Sequence, residues 1–272
     1  MTIQKLGIFF ALATLLLCNS PAEGQSLVPA VPAVEAASPP DLPLQLQPHS
    51  PVTVARTPMH TLTDLGHTAV SPMYLRKRDL KWILPLAGAT AAALATDSRT
   101  MRDVVSRDPG FNQTSAHVSD GLVGGMIALP VGMFGVGQMS HNEHVRETGI
   151  LAGEAMVDAI VVDELTKLCS FRERPNVDNA RGEFYIGSTG GVNSSFVSNH
   201  SMIAWSSASV MASESHSRWK QIALYSAAAG VSLSRVTAQE HFPTDVLLGS
   251  AGGWLIGHYV YRAHHHADPA AD

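Results

Sequence analysis

Apolar residues along this chain recur at helical spacing, and six stretches carry the pattern: roughly residues 79–97, 120–139, 146–168, 199–214, 219–236 and 243–262. No alternation of polar and apolar positions lasts long enough to mark a strand. Local signals fix some of the ends. Asp108-Pro109-Gly110 interrupts the first long connection. Ser198 or Asn199 is a natural N-cap for the fourth stretch, and Pro243 suits the first turn of the sixth. The pattern predicts an all-α fold, a compact bundle of about six helices.

The two ends of the chain read differently. Lys5 precedes a 12-residue apolar run, Leu6 to Leu17, and small residues follow at Ser20-Pro21-Ala22 or Ala22-Glu23-Gly24. That order is an export signal over residues 1–24, because the apolar run is shorter than the roughly 20 residues a spanning helix needs. Cys18 raises the question of a lipid anchor, but Leu17 stands where a lipobox places a small residue. Nine of the 16 prolines fall between Pro21 and Pro58, so residues 25–58 are expected to be an extended or disordered linker. Residues 59–78 are transitional and end in a basic cluster, Arg76-Lys77-Arg78 with Lys81, which suits either a solvated helix start or anionic lipid headgroups. The helical domain is then expected over 79–262, and residues 263–272 are expected to be a disordered tail.

Composition narrows the class. A chain of 272 residues with 45% hydrophobic content can build one domain with a sizeable core. Net charge is −5, which leaves no global basic surface and no support for nucleic-acid binding. Charged residues make up only 15%, below the usual quarter, which suggests closely packed helices in contact with a membrane or with one another. Only 120–139 has the length and polarity of a membrane span, and it carries Pro130 and several glycines. Glu154, Asp158 and Asp163 in the third stretch and five serines in the fourth (Ser201, Ser206, Ser207, Ser209, Ser213) argue against six spans, since intramembrane carboxylates are costly. A soluble or membrane-attached bundle fits better. Once Cys18 leaves or is modified, Cys169 is the only thiol, so no intrachain disulfide forms and a buried, inert thiol is expected.

Candidate chemistry lies in three short clusters of the last 110 residues. Lys167 is followed after six residues by Arg174-Pro175; Ser198-Asn199-His200 comes next; Ser234-Arg235 is followed by His241 and then Asp245. Three cations suit a tetrahedral oxyanion, because fixed positive charge opposes the charge that builds up in the transition state. Two histidines suit a reaction that needs one nucleophile or base and one acid. His241 is the candidate nucleophile, with Asp245 one turn on to accept from one ring nitrogen and leave the other free. Lys167, Arg174, Ser198, Asn199 and Arg235 are the candidate phosphate ligands, placed at helix ends where free backbone N–H groups favour anions. His258 lies outside the pattern, as do His264 to His266, which suit weak metal binding or, as preferred here, a disordered tail. His141, His144 and His216 are read as surface residues.

The three blocks together resemble the signature of the type 2 phosphatidic acid phosphatase superfamily, which includes bacterial non-specific acid phosphatases and vanadium-dependent haloperoxidases. That pattern is Lys-x6-Arg-Pro, Pro-Ser-Gly-His and Ser-Arg-x5-His-x3-Asp, and the resemblance covers roughly residues 75 to 262. The first and third blocks match at every defining position. In the second, Val197 replaces the usual Pro and Asn199 the usual Gly. Asn tolerates positive φ better than most residues, so a turn there can survive; its side chain can donate a hydrogen bond or crowd the pocket.

The resemblance implies hydrolysis of phosphate esters without a metal or other cofactor, by way of a phosphohistidine at His241. His200 would protonate the leaving oxygen and then activate water. The expected partner is a phosphorylated small molecule or a lipid phosphate or diphosphate, handled by an exported protein in the periplasm or outside the cell, with membrane-surface contact left open. Two alternatives belong to other classes: a vanadium haloperoxidase, in which the same cations hold vanadate (otherwise an inhibitor) as cofactor, and a catalytically silent anion-binding domain.

Overall fold

The computed structural model describes residues 52–70, 80–185 and 194–265. The expected export signal, most of the expected linker and the basic residues 76–78 lie outside these residues. Among the described residues there are seven α-helices and no strand, so the fold is all-α. They are α1 (Thr57–Val70), α2 (Leu80–Arg99), α3 (Pro109–Ser140), α4 (Glu143–Ser170), α5 (Asn199–Glu214), α6 (Arg218–Thr237) and α7 (Pro243–His264).

The six expected stretches correspond to α2 through α7. Helix α3 begins earlier than its apolar pattern, at the Asp108-Pro109-Gly110 breaker. Asp108 caps it by accepting from Phe111 N–H at 2.8 Å, and Pro109 supplies a first-turn φ without spending a needed donor. Helix α1 was not expected. It starts at Thr57, inside the expected linker, and Val52 ahead of it is already buried. The prolines obscure it in the sequence, and its packing against α4 holds it in place. At the other end α7 continues to His264, two residues beyond the expected domain limit.

Helix α5 is the centre of the bundle, packed against α7, α4, α6 and α3. It is buried over nearly its whole length, which is why its serines sit inside. Main-chain carbonyls satisfy them: Ser206 Oγ donates to the Ile203 carbonyl of its own helix at 3.0 Å, Ser207 Oγ to the Met126 carbonyl of α3 at 2.9 Å and Ser209 Oγ to the Trp254 carbonyl of α7 at 3.0 Å. Small residues let α5 and α7 approach closely. A Cβ on Gly253 would lie 2.3 Å from the Met202 carbonyl oxygen, and one on Gly249 would lie 2.8 Å from that of Ser198. This contact places the N-termini of α5 and α7 side by side.

Helix α3 presents Phe111, Val118, Leu129, Val131, Val136 and Met139 to the outside. It is long and apolar enough to cross a membrane, the one such helix among the described residues. Cys169 is exposed, contrary to expectation, because it falls on the outward face of α4 between buried Lys167 and buried Ser170.

Candidate active site

The site is assembled where α5 and α7 begin and α4 and α6 end. The segment after α4 is fixed by Arg172, which is buried and bridges two carboxylates. Its guanidinium pairs with Asp97 of α2 at 2.7 Å and with Asp245 of α7. It also lies over the Phe242 ring at 4.1 Å. Asp97 in turn accepts from Thr244 Oγ1 at 2.6 Å. This buried network ties three parts of the chain together and so positions Arg174 two residues on.

His241 is buried, and its Nδ1 lies 2.7 Å from the Ser195 carbonyl oxygen. A carbonyl can only accept, so Nδ1 carries the proton and Nε2 keeps its lone pair. Burial, followed by the charges of Arg174 and Arg235, holds the imidazole well below its ordinary pKa. His241 is therefore neutral near pH 7, with the Nε2 lone pair unprotonated.

Asp245 was expected to accept from His241 directly, one turn along the chain. Instead its carboxylate stands 3.9 Å from His241 Nδ1. It accepts from Ser195 Oγ, from Arg172 and from Phe242 N–H at 2.9 Å. Asp245 thus acts on His241 through Ser195, whose side chain it holds and whose carbonyl holds the imidazole. Burial pushes Asp245 up to about 6 despite the favourable Arg172 charge.

Ser198 is the N-cap of α5, with its side chain making no cap hydrogen bond. Ser201 Oγ donates to Ser198 Oγ at 3.2 Å, which leaves the Ser198 proton for another acceptor. Asn199 is the first helical residue and is not in the positive-φ region, so the glycine-like turn foreseen at this position does not arise. Its Oδ1 is buried without a hydrogen-bond partner. His200 follows, part-exposed, with Nε2 3.1 Å from Asp120 Oδ1 of α3. Burial and the charge of Arg235 lower its pKa, while Asp120 opposes them.

The three cations are each held by acids. Lys167 Nζ lies 2.6 Å from Asp163 and 3.2 Å from Glu164. Arg174 pairs with Glu240, and Arg235 lies 3.6 Å from the same Glu240 oxygen and 3.7 Å from Asp120. Glu240 therefore occupies the position between two guanidinium groups that an anionic ligand would share. The charge of Lys167 is felt at both His200 and His241, so all eight expected site residues meet in one region.

Sequence reasoning missed Asp120, Glu240, Arg172 and Ser195. Glu240 and Ser195 sit inside or beside the recognised blocks and could have been flagged as charged or polar neighbours. Asp120 could not, because it comes from the apolar helix α3, distant in sequence from every block.

A buried neutral imidazole under the influence of two arginines and a lysine is an arrangement chemically suited to a phosphoryl anion, here on an all-α bundle. Residues 148–268, the segment that carries all three blocks, match the model of the PAP2 superfamily. The superfamily includes phosphatases that act on phosphorylated substrates. No curated protein and no solved structure matches the chain.

Proposed function

We propose that the protein hydrolyses phosphate monoesters without a metal ion, through a phosphohistidine at His241. The observation that carries this reading is the His241 tautomer: Nδ1–H is committed to the Ser195 carbonyl, so Nε2 is free to attack. In the first step Nε2 forms a bond to phosphorus as the ester P–O bond breaks. Imidazolium His200 gives the leaving oxygen a proton, its other N–H remaining on Asp120. In the second step His200, now neutral, takes a proton from water. The hydroxide oxygen bonds to phosphorus, the P–N bond breaks, and inorganic phosphate leaves. Lys167, Arg174 and Arg235 with the Ser198 hydroxyl and the first amides of α5 would hold the phosphoryl oxygens and neutralise developing charge.

The substrate reading is an ester with an apolar leaving group, a lipid phosphate or diphosphate, in preference to a highly polar one. Asp120, which touches His200, is carried by the exposed apolar helix α3, so a substrate lying along that helix would bring its phosphate to His200. Export by residues 1–24 and attachment to a membrane surface through α3 fit the same picture.

The test is phosphate release from a generic aryl phosphate and from a short-chain lipid phosphate, with chelator present. Chelator-resistant turnover that disappears in His241→Ala supports the route. Turnover that survives His241→Ala removes His241 as nucleophile.

A further inference from the structure

A second group of chemistry-bearing side chains lies far from the phosphoryl site. Helix α1 carries His60 and Asp64 one turn apart, α4 carries Glu154 and Asp158 one turn apart, and α7 ends in His264. The two helical pairs face each other, and His264 closes the group. Glu154 lies about 20 Å along α4 from Lys167, at 1.5 Å per residue. We propose that His60, Glu154 and His264, backed by Asp64 and Asp158, bind one divalent transition-metal ion, with zinc as the reference case, that clamps α1 onto α4 and α7.

Geometry supports a shared ion. The ligand atoms of His60, Glu154 and His264 lie within 4.8 Å of one another. Glu154 Oε1 is 3.1 Å from His60 Nδ1 and 3.5 Å from His264 Nε2. Tetrahedral zinc with bonds near 2 Å separates its ligand atoms by about 3.3 Å, so these contacts are already at coordination spacing. Asp64 Oδ2, 2.9 Å from the same His264 Nε2, is positioned as a fourth donor. The donor set is imidazole and carboxylate with no thiolate, which suits zinc and its divalent neighbours over soft monovalent copper.

Charge supports it independently. Glu154, Asp64 and Asp158 are all at least 97% buried, being 1%, 3% and 3% exposed. Asp64 Oδ1 has no hydrogen-bond partner, and among the described residues the Thr61 hydroxyl is the one polar group that reaches Asp158. Among the described residues no Lys or Arg pairs with any of the three carboxylates. Buried carboxylates are otherwise paired, hydrogen-bonded, protonated or bound to metal, and a dication would let three of them ionise beside two imidazoles. His60 and His264 are partly exposed, which gives an ion a way in. Their rings lie parallel with centroids 4.1 Å apart. An imidazole lone pair lies in the ring plane, so binding turns the rings out of this stack until each plane contains the ion. The consequence is a pinned N-terminal helix, joining the Pro-rich stretch to the domain at the end remote from catalysis.

The experiment uses the purified full chain, stripped with chelator, dialysed and titrated with zinc chloride by calorimetry and thermal unfolding. One zinc per chain is expected, with Tm rising by about 5–10 °C when zinc exceeds Kd about a hundredfold. His60→Ala and Glu154→Gln should each weaken binding about tenfold or more and remove most of the Tm rise. His60→Ala alters a part-exposed residue, and its metal-free Tm shows whether the fold is kept. Zinc bound equally by both variants would assign it to the His264–His266 run alone and overturn the site. So would the absence of a stoichiometric ion and of any Tm shift. The phosphatase reading fails separately: a chain without turnover that binds one zinc sinks that reading only, and an active chain that binds none sinks this one only.

Discussion

The carboxylate of Asp245 stands 3.9 Å from His241 Nδ1, and Ser195 fills the gap between them. Ser195 gives its hydroxyl proton to Asp245 and offers its carbonyl oxygen to His241. An acid–histidine pair four residues apart in sequence thus works through a third residue almost fifty positions upstream. The relay separates two duties that a direct hydrogen bond would merge. Asp245 anchors Arg172 and the start of α7, while an uncharged carbonyl sets the imidazole tautomer.

Ser195→Ala tests the relay, because it removes the hydroxyl and keeps the carbonyl. The His241 tautomer should survive with a looser ring. A kcat loss of about tenfold, roughly 1.4 kcal/mol, with KM nearly unchanged is expected. Asp245→Asn should do more. It strips Arg172 of one of its two buried carboxylates, and breaking a buried pair costs about 3–5 kcal/mol. Steady-state kinetics and thermal unfolding on the two variants check the order. Equal loss of Tm in both would mean that Ser195 matters only for folding.

The pH profile should lie on the acid side of neutrality. On the proposed route His241 must be neutral to attack, and its pKa is held well below 6.5, so activity falls on the acid side only when pH drops through that low value. His200 must be protonated to serve as acid, and its pKa is also lowered, so activity falls again as pH rises through a value under 6.5. Asp120 is one of the influences raising the His200 pKa. Asp120→Asn should therefore move the alkaline limb of kcat/KM to lower pH and leave the acid limb in place. A profile whose alkaline limb stays fixed would remove Asp120 as the partner of the acid.

Glu240 sits between Arg174 and Arg235, where it competes with any incoming anion. Glu240→Gln removes the competing charge and keeps the shape. Inhibition by inorganic phosphate or vanadate should tighten by about three- to tenfold, the scale of a part-exposed ion pair of about 1 kcal/mol. Inhibition constants measured at one pH and ionic strength decide it, and unchanged or weaker inhibition would mean that Glu240 positions the arginines instead.

Much of this arrangement was legible in the chain. Helices α2 to α7 follow from apolar spacing, and the blocks around Lys167, Ser198 and His241 name the groups that meet. What the sequence hid was tertiary. Helix α1 lies in Pro-rich surroundings and is held by contacts with α4 that no local pattern announces. Asp120 looked like an ordinary polar residue at the start of an apolar stretch until α3 crossed His200. The histidines near the end read as a loose tail because His264 finds its partners, Asp64 and Glu154, about 200 and 110 positions earlier.

The close approach of α5 and α7 brings Ser198 beside Asp245, and it depends on the absence of side chains on α7. Ser198 N–H donates to the Asp245 carbonyl at 3.2 Å across this contact. A methyl group at Gly253 would stand 2.3 Å from the Met202 carbonyl oxygen and 2.9 Å from the Met202 Cα, both backbone atoms of the most buried helix. Neither can turn aside as a flexible side chain would, so the helices must separate. Overpacking of this kind costs about 1–3 kcal/mol, and a shift of the α5 N-terminus moves Ser198 and His200 relative to His241. Gly253→Ala should therefore lower both Tm and kcat, whereas Gly153→Ala on α4, where an added Cβ meets nothing within 4 Å, should lower neither. Thermal unfolding and turnover of the two variants compare the cases directly, and a Gly253→Ala protein with native Tm and native kcat would show that the α5–α7 spacing does not set the site.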